Sequence, residues 1–181
     1  MEPIDFIFNR RSIRKFTSEQ VDRQQIDQLL KAAMAAPSAV NSQPWEFIVV
    51  NDPAVLKTLK KVSLFSNYTA PVAIVVIGSP LKARNPAGGK FWIQDCSAAM
   101  ENLLLAAVCL GLGAVWIGVH PIQGVEEKVR STLSIPDTSI PLGIALVGYP
   151  AQEKDARTRF RKDRVYWQEY GGFYQGEEII K

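Results

Sequence analysis

The apolar positions of this chain change their spacing several times, and each change marks an element. Ile26, Leu29, Leu30, Ala33 and Met34 recur at helical spacing behind Asp22 and Gln25, which stand three apart as a capping box, and Pro37 stops the run. A short helix is expected earlier, opening near Pro3, whose missing N–H costs nothing at a first helical position. Trp45–Val50 reads as a strand. Asp52-Pro53 then starts a helix to about Lys61, with Val55, Leu56, Leu59 and Val62 inward. Val72–Ile77 is an unbroken apolar run closed by Gly78, the pattern of a strand buried on both faces. Residues 79–90 are rich in Pro, Gly, Lys and Arg and read as a mobile loop. The longest helix is expected over Phe91–Leu110, apolar nearly all round after Asn102 and stopped by Gly111. Ala114–Val119 and Ile140–Val147 read as strands and Val125–Leu133 as a helix, so helices and buried strands mix around a central sheet, α+β or α/β.

From Gln152 to Lys181 the periodicity fades while Phe160, Tyr166, Trp167, Tyr170, Phe173 and Tyr174 accumulate. Such a segment cannot build its own core, and it is expected to drape over a surface, a partner subunit being one candidate. The 181 residues, 47% hydrophobic and 22% charged, suit one soluble domain over 1–181. A net charge of +3, with acids interspersed among the bases, argues against a nucleic-acid partner. Leu103–Val125 lacks Asp, Glu, Lys and Arg and is long enough to span a bilayer, but Gly111-Leu112-Gly113 and His120-Pro121 interrupt it. A buried helix followed by a buried strand accounts for the run without a membrane. Cys96 and Cys109 on one helix would lie roughly 20 Å apart, beyond a disulfide, which fits a cytoplasmic setting. The N-terminus has acid and no apolar run, so no signal peptide is expected.

Two polar segments carry the chemistry. Arg10, Arg11 and Arg14 with the Ser12 hydroxyl either form a solvated basic turn or grip a dianion, because guanidinium forks match phosphate oxygens. Arg157-Thr158-Arg159 alternates as an extended strand would, so both of its arginines could face the same anion. Pro37-Ser38-Ala39-Val40-Asn41-Ser42-Gln43 offers amides and hydroxyls suited to a polar heterocycle. No Gly-x-x-x-x-Gly-Lys-Ser/Thr loop is present, and Gly111-Leu112-Gly113 is followed by Trp116 where a dinucleotide fingerprint needs its third glycine. A mononucleotide therefore fits better than a pyrophosphate. With a single histidine, His120, and cysteines off ligand spacing, neither a metal centre nor a Ser-His-Asp triad is expected, and the chemistry falls to a cofactor.

In order along the chain, Arg10-Arg11-Ser12-Ile13-Arg14-Lys15-Phe16, Ala36-Pro37-Ser38-Ala39 to Gln43-Pro44-Trp45-Glu46-Phe47, Trp116-Ile117-Gly118, Gly148-Tyr149-Pro150 and Arg157-Thr158-Arg159-Phe160 resemble the nitroreductase family. The resemblance implies an α+β fold with a central mixed, mostly antiparallel sheet between helices. It also implies an intertwined homodimer whose arm, about 152–181, crosses to the partner. It further implies FMN at the dimer interface. Arg10, Arg11, Arg157 and Arg159 would hold the phosphate, with Ser12 and Arg14 on phosphate or ring edge. Pro37, Ser38, Ala39, Asn41 and Gln43 would come from the other subunit. Trp116, Ile117 and Gly118 would lie against the ring, with Asn67 a further ring contact and Gln123 and Gly124 presenting backbone N–H toward flavin N5. The implied activity is ping-pong hydride transfer from NADH or NADPH to a planar acceptor such as a nitroaromatic or quinone. Dehalogenating, desaturating or flavin-fragmenting relatives supply the alternative.

Overall fold

Asp22 shows how closely local chemistry sets the helices. Its carboxylate accepts from the Gln25 N–H at 2.8 Å while the Gln25 side chain accepts from the Asp22 N–H, and α2 (Arg23–Met34) follows. Ile26, Leu29 and Ala33 are buried on its inner face, but Met34, expected among them, is 54% exposed at the last turn. The computed structural model describes residues 4–172, so Pro3 and the expected tail aromatics Phe173 and Tyr174 lie outside the described residues. The opening helix α1 is Asp5–Asn9. Asp52 caps α3 (Pro53–Leu59) through the Ala54 and Val55 N–H groups.

The longest helix, α4, runs over Ala87–Cys109 and so starts four residues ahead of the expected Phe91. It absorbs the end of the segment expected to be a loop. A β-carbon on Gly88 would come within 2.2 Å of the Ala83 β-carbon, so only glycine lets this first turn fold back so tightly. At the other end Gly111 takes φ 71°, and the N–H groups of Gly111 and Leu112 return to the carbonyls of Val108 and Ala107. That double closure satisfies the last carbonyls of α4 and turns the chain directly into the next strand. Among the described residues no helix is long and apolar enough to cross a membrane, and Cys96 and Cys109, both on α4, are free thiols.

Strands β1 (Trp45–Val50), β2 (Val72–Gly78), β3 (Gly113–Gly118) and β4 (Ile140–Gly148) form one sheet in the order β1-β2-β4-β3, antiparallel at every junction. The expected parallel component is reduced to a single bridge between Ser12 and Ala114 on the outer edge of β3. Alternation along the strands fills two cores. Val72, Ile74, Val76, Ala145 and Val147 face α2 and α4, while Ala73, Val75, Ile77, Ile144 and Leu146 face α3 and α5 (Gln123–Leu133). β2 is buried along its whole length, as its unbroken apolar run predicts.

Replacing Asp22 with Ala is expected to cost about 1 kcal/mol by urea unfolding, because the Gln25 N–H at the head of α2 loses its acceptor. Leu103→Ala, at a fully buried position of α4, is expected to cost roughly 2–5 kcal/mol.

Candidate functional site

The two basic segments meet. Thr17 N–H donates to the Tyr149 carbonyl at 2.9 Å, Ala151 N–H to Lys15 at 2.9 Å, and Arg157 N–H to Phe8 at 3.2 Å. The Lys154 ammonium donates to the Ser12 carbonyl at 2.6 Å, the Arg11 guanidinium donates to the Asp155 carbonyl, and Phe16 bridges Pro150. From Thr17 to Arg11 the partners fall in step, one residue back for each residue forward, and Phe8 with Arg157 follows one residue out of that register, so 8–17 and 149–157 close as an antiparallel clasp. Lys154, which its charged neighbours disguise in the sequence, is thereby a member of the cationic group.

Like charges crowd here. Desolvation first, then Arg14, Arg11 and Arg157, hold the Lys154 ammonium below its ordinary value. Arg157 is lowered in the same way, by desolvation and then by Arg11, Arg159 and Arg10. Arg10 is partly neutralised by Glu101 of α4 at 3.0 Å, and Arg14 lies over the Tyr68 ring with 5.8 Å to its centroid. A compact cluster of cations held by backbone hydrogen bonds is the donor set that a phosphate dianion fits.

The clasp is seated on the edge strand. Ile13 N–H donates to the Ala114 carbonyl at 2.9 Å, and the Ile13 side chain occupies the place a β-carbon on Gly113 would need, 2.7 Å away. Gly111 and Gly113 are therefore explained by a helix stop and a close packing, not by a dinucleotide loop. From Ala114 to Gly118 the strand advances about 13 Å. Along it Trp116 is 37% exposed and leans over Gly143, whose missing β-carbon would sit 2.3 Å from the indole nitrogen. Ile117 is turned the other way, its side chain buried in the α3–α5 core, so only its backbone is available at this edge.

Just beyond β3 the chain enters α5, where Gln123 and Gly124 form the first turn and Ile122 supplies no side-chain cap. Unpaired N–H groups at such a turn are ready donors. His120 is held in place: its Nδ1 lies 2.8 Å from Glu126 Oε1, and its ring meets Trp92 edge-on with centroids 4.9 Å apart. Asn67 lines a groove with Phe65, Ile122 and Val125. Among the described residues no cluster of side chains suited to a metal ion occurs.

The polar loop is a strained object. Val40, Asn41 and Gln43 hold φ of 51°, 54° and 48°, left-handed values that a β-branched residue adopts only under constraint. The constraint is Asp95, a buried carboxylate on α4 absent from the expected site. It accepts from the Ala39 N–H at 2.9 Å and from the Ser42 hydroxyl at 2.8 Å. Ser38 accepts from the Gln43 N–H at 3.1 Å, Asn41 from the Gln43 amide at 2.6 Å, and Asn85 donates to the Val40 carbonyl at 2.9 Å. Asp95 and Glu101 are about 9 Å apart along α4 and roughly 240° around it, so the loop and the arginines approach the helix from different sides. Within one chain they are not brought together. Replacing Asp95 with Ala strands the buried Ser42 hydroxyl at roughly 1–3 kcal/mol and frees the part-buried Ala39 N–H, and is expected to accelerate amide exchange across 38–43.

The profile of the nitroreductase family matches residues 7–67 and 57–149. A protein of Archaeoglobus fulgidus, provisionally named an NADH dehydrogenase/NAD(P)H nitroreductase, is 44% identical over 170 residues, covering 91% of this chain and 97% of its own. A solved structure from Parabacteroides distasonis, provisionally named in the same way, superposes with a TM-score of 0.86 at 39% identity, over 92% of this chain and 97% of that one. An FMN-dependent nitroreductase from Clostridium difficile superposes with a TM-score of 0.83 at 33% identity, over 92% and 99%. The chain belongs to the nitroreductase family.

Proposed function

We propose that this chain is an NAD(P)H-dependent FMN oxidoreductase, working by ping-pong on a planar acceptor such as a nitroaromatic or quinone. The observation that carries this reading is the clasp, a dianion site without the loop that a pyrophosphate needs. Membership of a family that includes an FMN-dependent nitroreductase supports it. FMN bound there would supply the redox chemistry that couples the donor to the acceptor. The protein binds, orients and shields.

Arg10, Arg11, Arg157 and Arg159 hold the phosphate, with Ser12 and Arg14 beside them and Lys154 completing the set. Trp116, the Ile117 backbone and Gly118 line the ring, and Asn67 and the Gln123 and Gly124 N–H groups meet its far edge. Those N–H dipoles stabilise the negative charge that accumulates on reduction without any proton having to be shuttled by a side chain. Pro37, Ser38, Ala39, Asn41 and Gln43 reach this site from a second copy of the chain, since α4 separates them from the arginines of their own. Exposed Ile4, Ile7, Phe8 and Phe91 give that second copy an apolar surface to cover, and the arm from about 152, once past the clasp, crosses to it. The whole chain works as one FMN-binding domain in a homodimer with two shared sites.

The purified protein is expected to be yellow, or to become so with FMN, and to bleach with NADH or NADPH before any acceptor is added. A colourless protein that consumes no NADPH with a quinone overturns the reading. Arg157→Ala combined with Arg159→Ala is expected to weaken FMN binding by about one to two orders of magnitude, measured by flavin fluorescence quenching. The flavin-free protein is expected to gain melting temperature with inorganic phosphate, and this double variant to lose that gain.

A further inference from the structure

The groove that holds Asn67 continues beyond the proposed flavin edge. Its upper part, 640 Å³, is lined by the apolar Leu64, Phe65 and Ile122. A second hollow of 220 Å³ shares Lys61, Val62 and Lys128 with it, and is closed by Thr58, Ser131 and Thr132. The two form one trough. On α5 its wall is a single helical face, because Ile122, Val125, Lys128 and Thr132 recur at spacings of three and four. Across from them stand the end of α3 and the segment that follows it.

Chemistry grades along this trough. The end at Ile122 and Phe65 adjoins the first turn of α5 and is flat and apolar. Lys128 lies about 9 Å further along the helix, with Thr132 about 6 Å beyond it. Neither Lys61 nor Lys128 is ion-paired among the described residues. Of the two acids before Lys128 on α5, Glu126 is turned to His120 and the exposed Glu127 lines neither hollow. Two unneutralised ammonium groups therefore face each other across a slot rimmed by hydroxyls.

We propose that this trough is the seat of the reduced pyridine nucleotide donor. The nicotinamide lies on the apolar end beside the flavin edge, and the phosphate nearest to it lies between Lys61 and Lys128. This rests on the FMN oxidoreductase reading and adds to it the donor's path and the residues that select it. An acceptor carrying a negative charge is the rival occupant, and the test separates the two.

The test mixes FMN-loaded protein anaerobically with NADPH, NADH or reduced nicotinamide mononucleotide in a stopped-flow instrument, with NADP+ binding followed in parallel by calorimetry. In K61A/K128A the Kd for each donor and for NADP+ is expected to rise about tenfold while the limiting rate of bleaching is unchanged. The mononucleotide shares the loss, because it keeps both the ring and the phosphate. K61R/K128R, which keeps the charge, retains most of the affinity, and Lys31→Ala on the far helix α2 changes nothing. Unchanged donor and NADP+ affinities in K61A/K128A overturn the proposal, as does a loss confined to oxidation by an anionic quinone. If the wild-type protein takes up no FMN, its spectrum shows that directly, and the oxidoreductase reading falls together with this one.

Discussion

The cationic part of the candidate site depends on backbone hydrogen bonds that hold like charges together. Left to electrostatics alone, Arg11, Arg14, Lys154 and Arg157 would separate. The clasp between 8–17 and 149–157 prevents this by engaging main-chain groups of both segments, and by turning Arg11 and Lys154 onto carbonyls of the opposite strand. Repulsion is therefore a standing cost of the fold. A dianion bound as proposed would offset it, coupling affinity and structural completion in one place.

The sheet fixes where that coupling can act. β3 is the last strand, and one of its edges is taken by β4. The basic segment engages the other edge only at Ala114, so Trp116 to Gly118 continue past it without a strand partner among the described residues. A free strand edge usually invites unwanted pairing. Here the basic segment covers only the start of the edge, while the Trp116 indole leans the other way, over Gly143 of β4, and the chain turns from the strand's end into α5.

Much of this was legible in the amino-acid order, and the reasons differ by residue. Asp22 with Gln25, Asp52 with Pro53, and Gly111 are local devices whose partners lie within a few positions, so spacing alone identifies them. The two-sided burial of β2 is likewise written in its own residues. What stayed hidden depends on distant pairs. Asp95 is one acid in an apolar helix, and its role shows only when residues 56 and 53 positions earlier fold back onto it. Lys154 sits among Glu153 and Asp155, and only the opposite strand of the clasp tells it apart from a solvated lysine. The early start of α4 was missed because Gly88 and Gly89 signal a loop, whereas Gly88 makes room for Ala83. Ile117 reads as a ring contact beside Trp116, but strand alternation sends its side chain into the opposite core.

The clasp also sets an order of events during synthesis. The bond from Arg11 to Asp155 spans 144 residues, so the cationic group cannot exist while the chain is still growing toward its end. Closing a loop of that length has to wait until the sheet has gathered the two segments into proximity. A chain synthesised only as far as β4 has its helices and its sheet specified but not yet the cationic group. On the proposed assignment, loading with a cofactor becomes a report that the segment after β4 has been made and has reached the first.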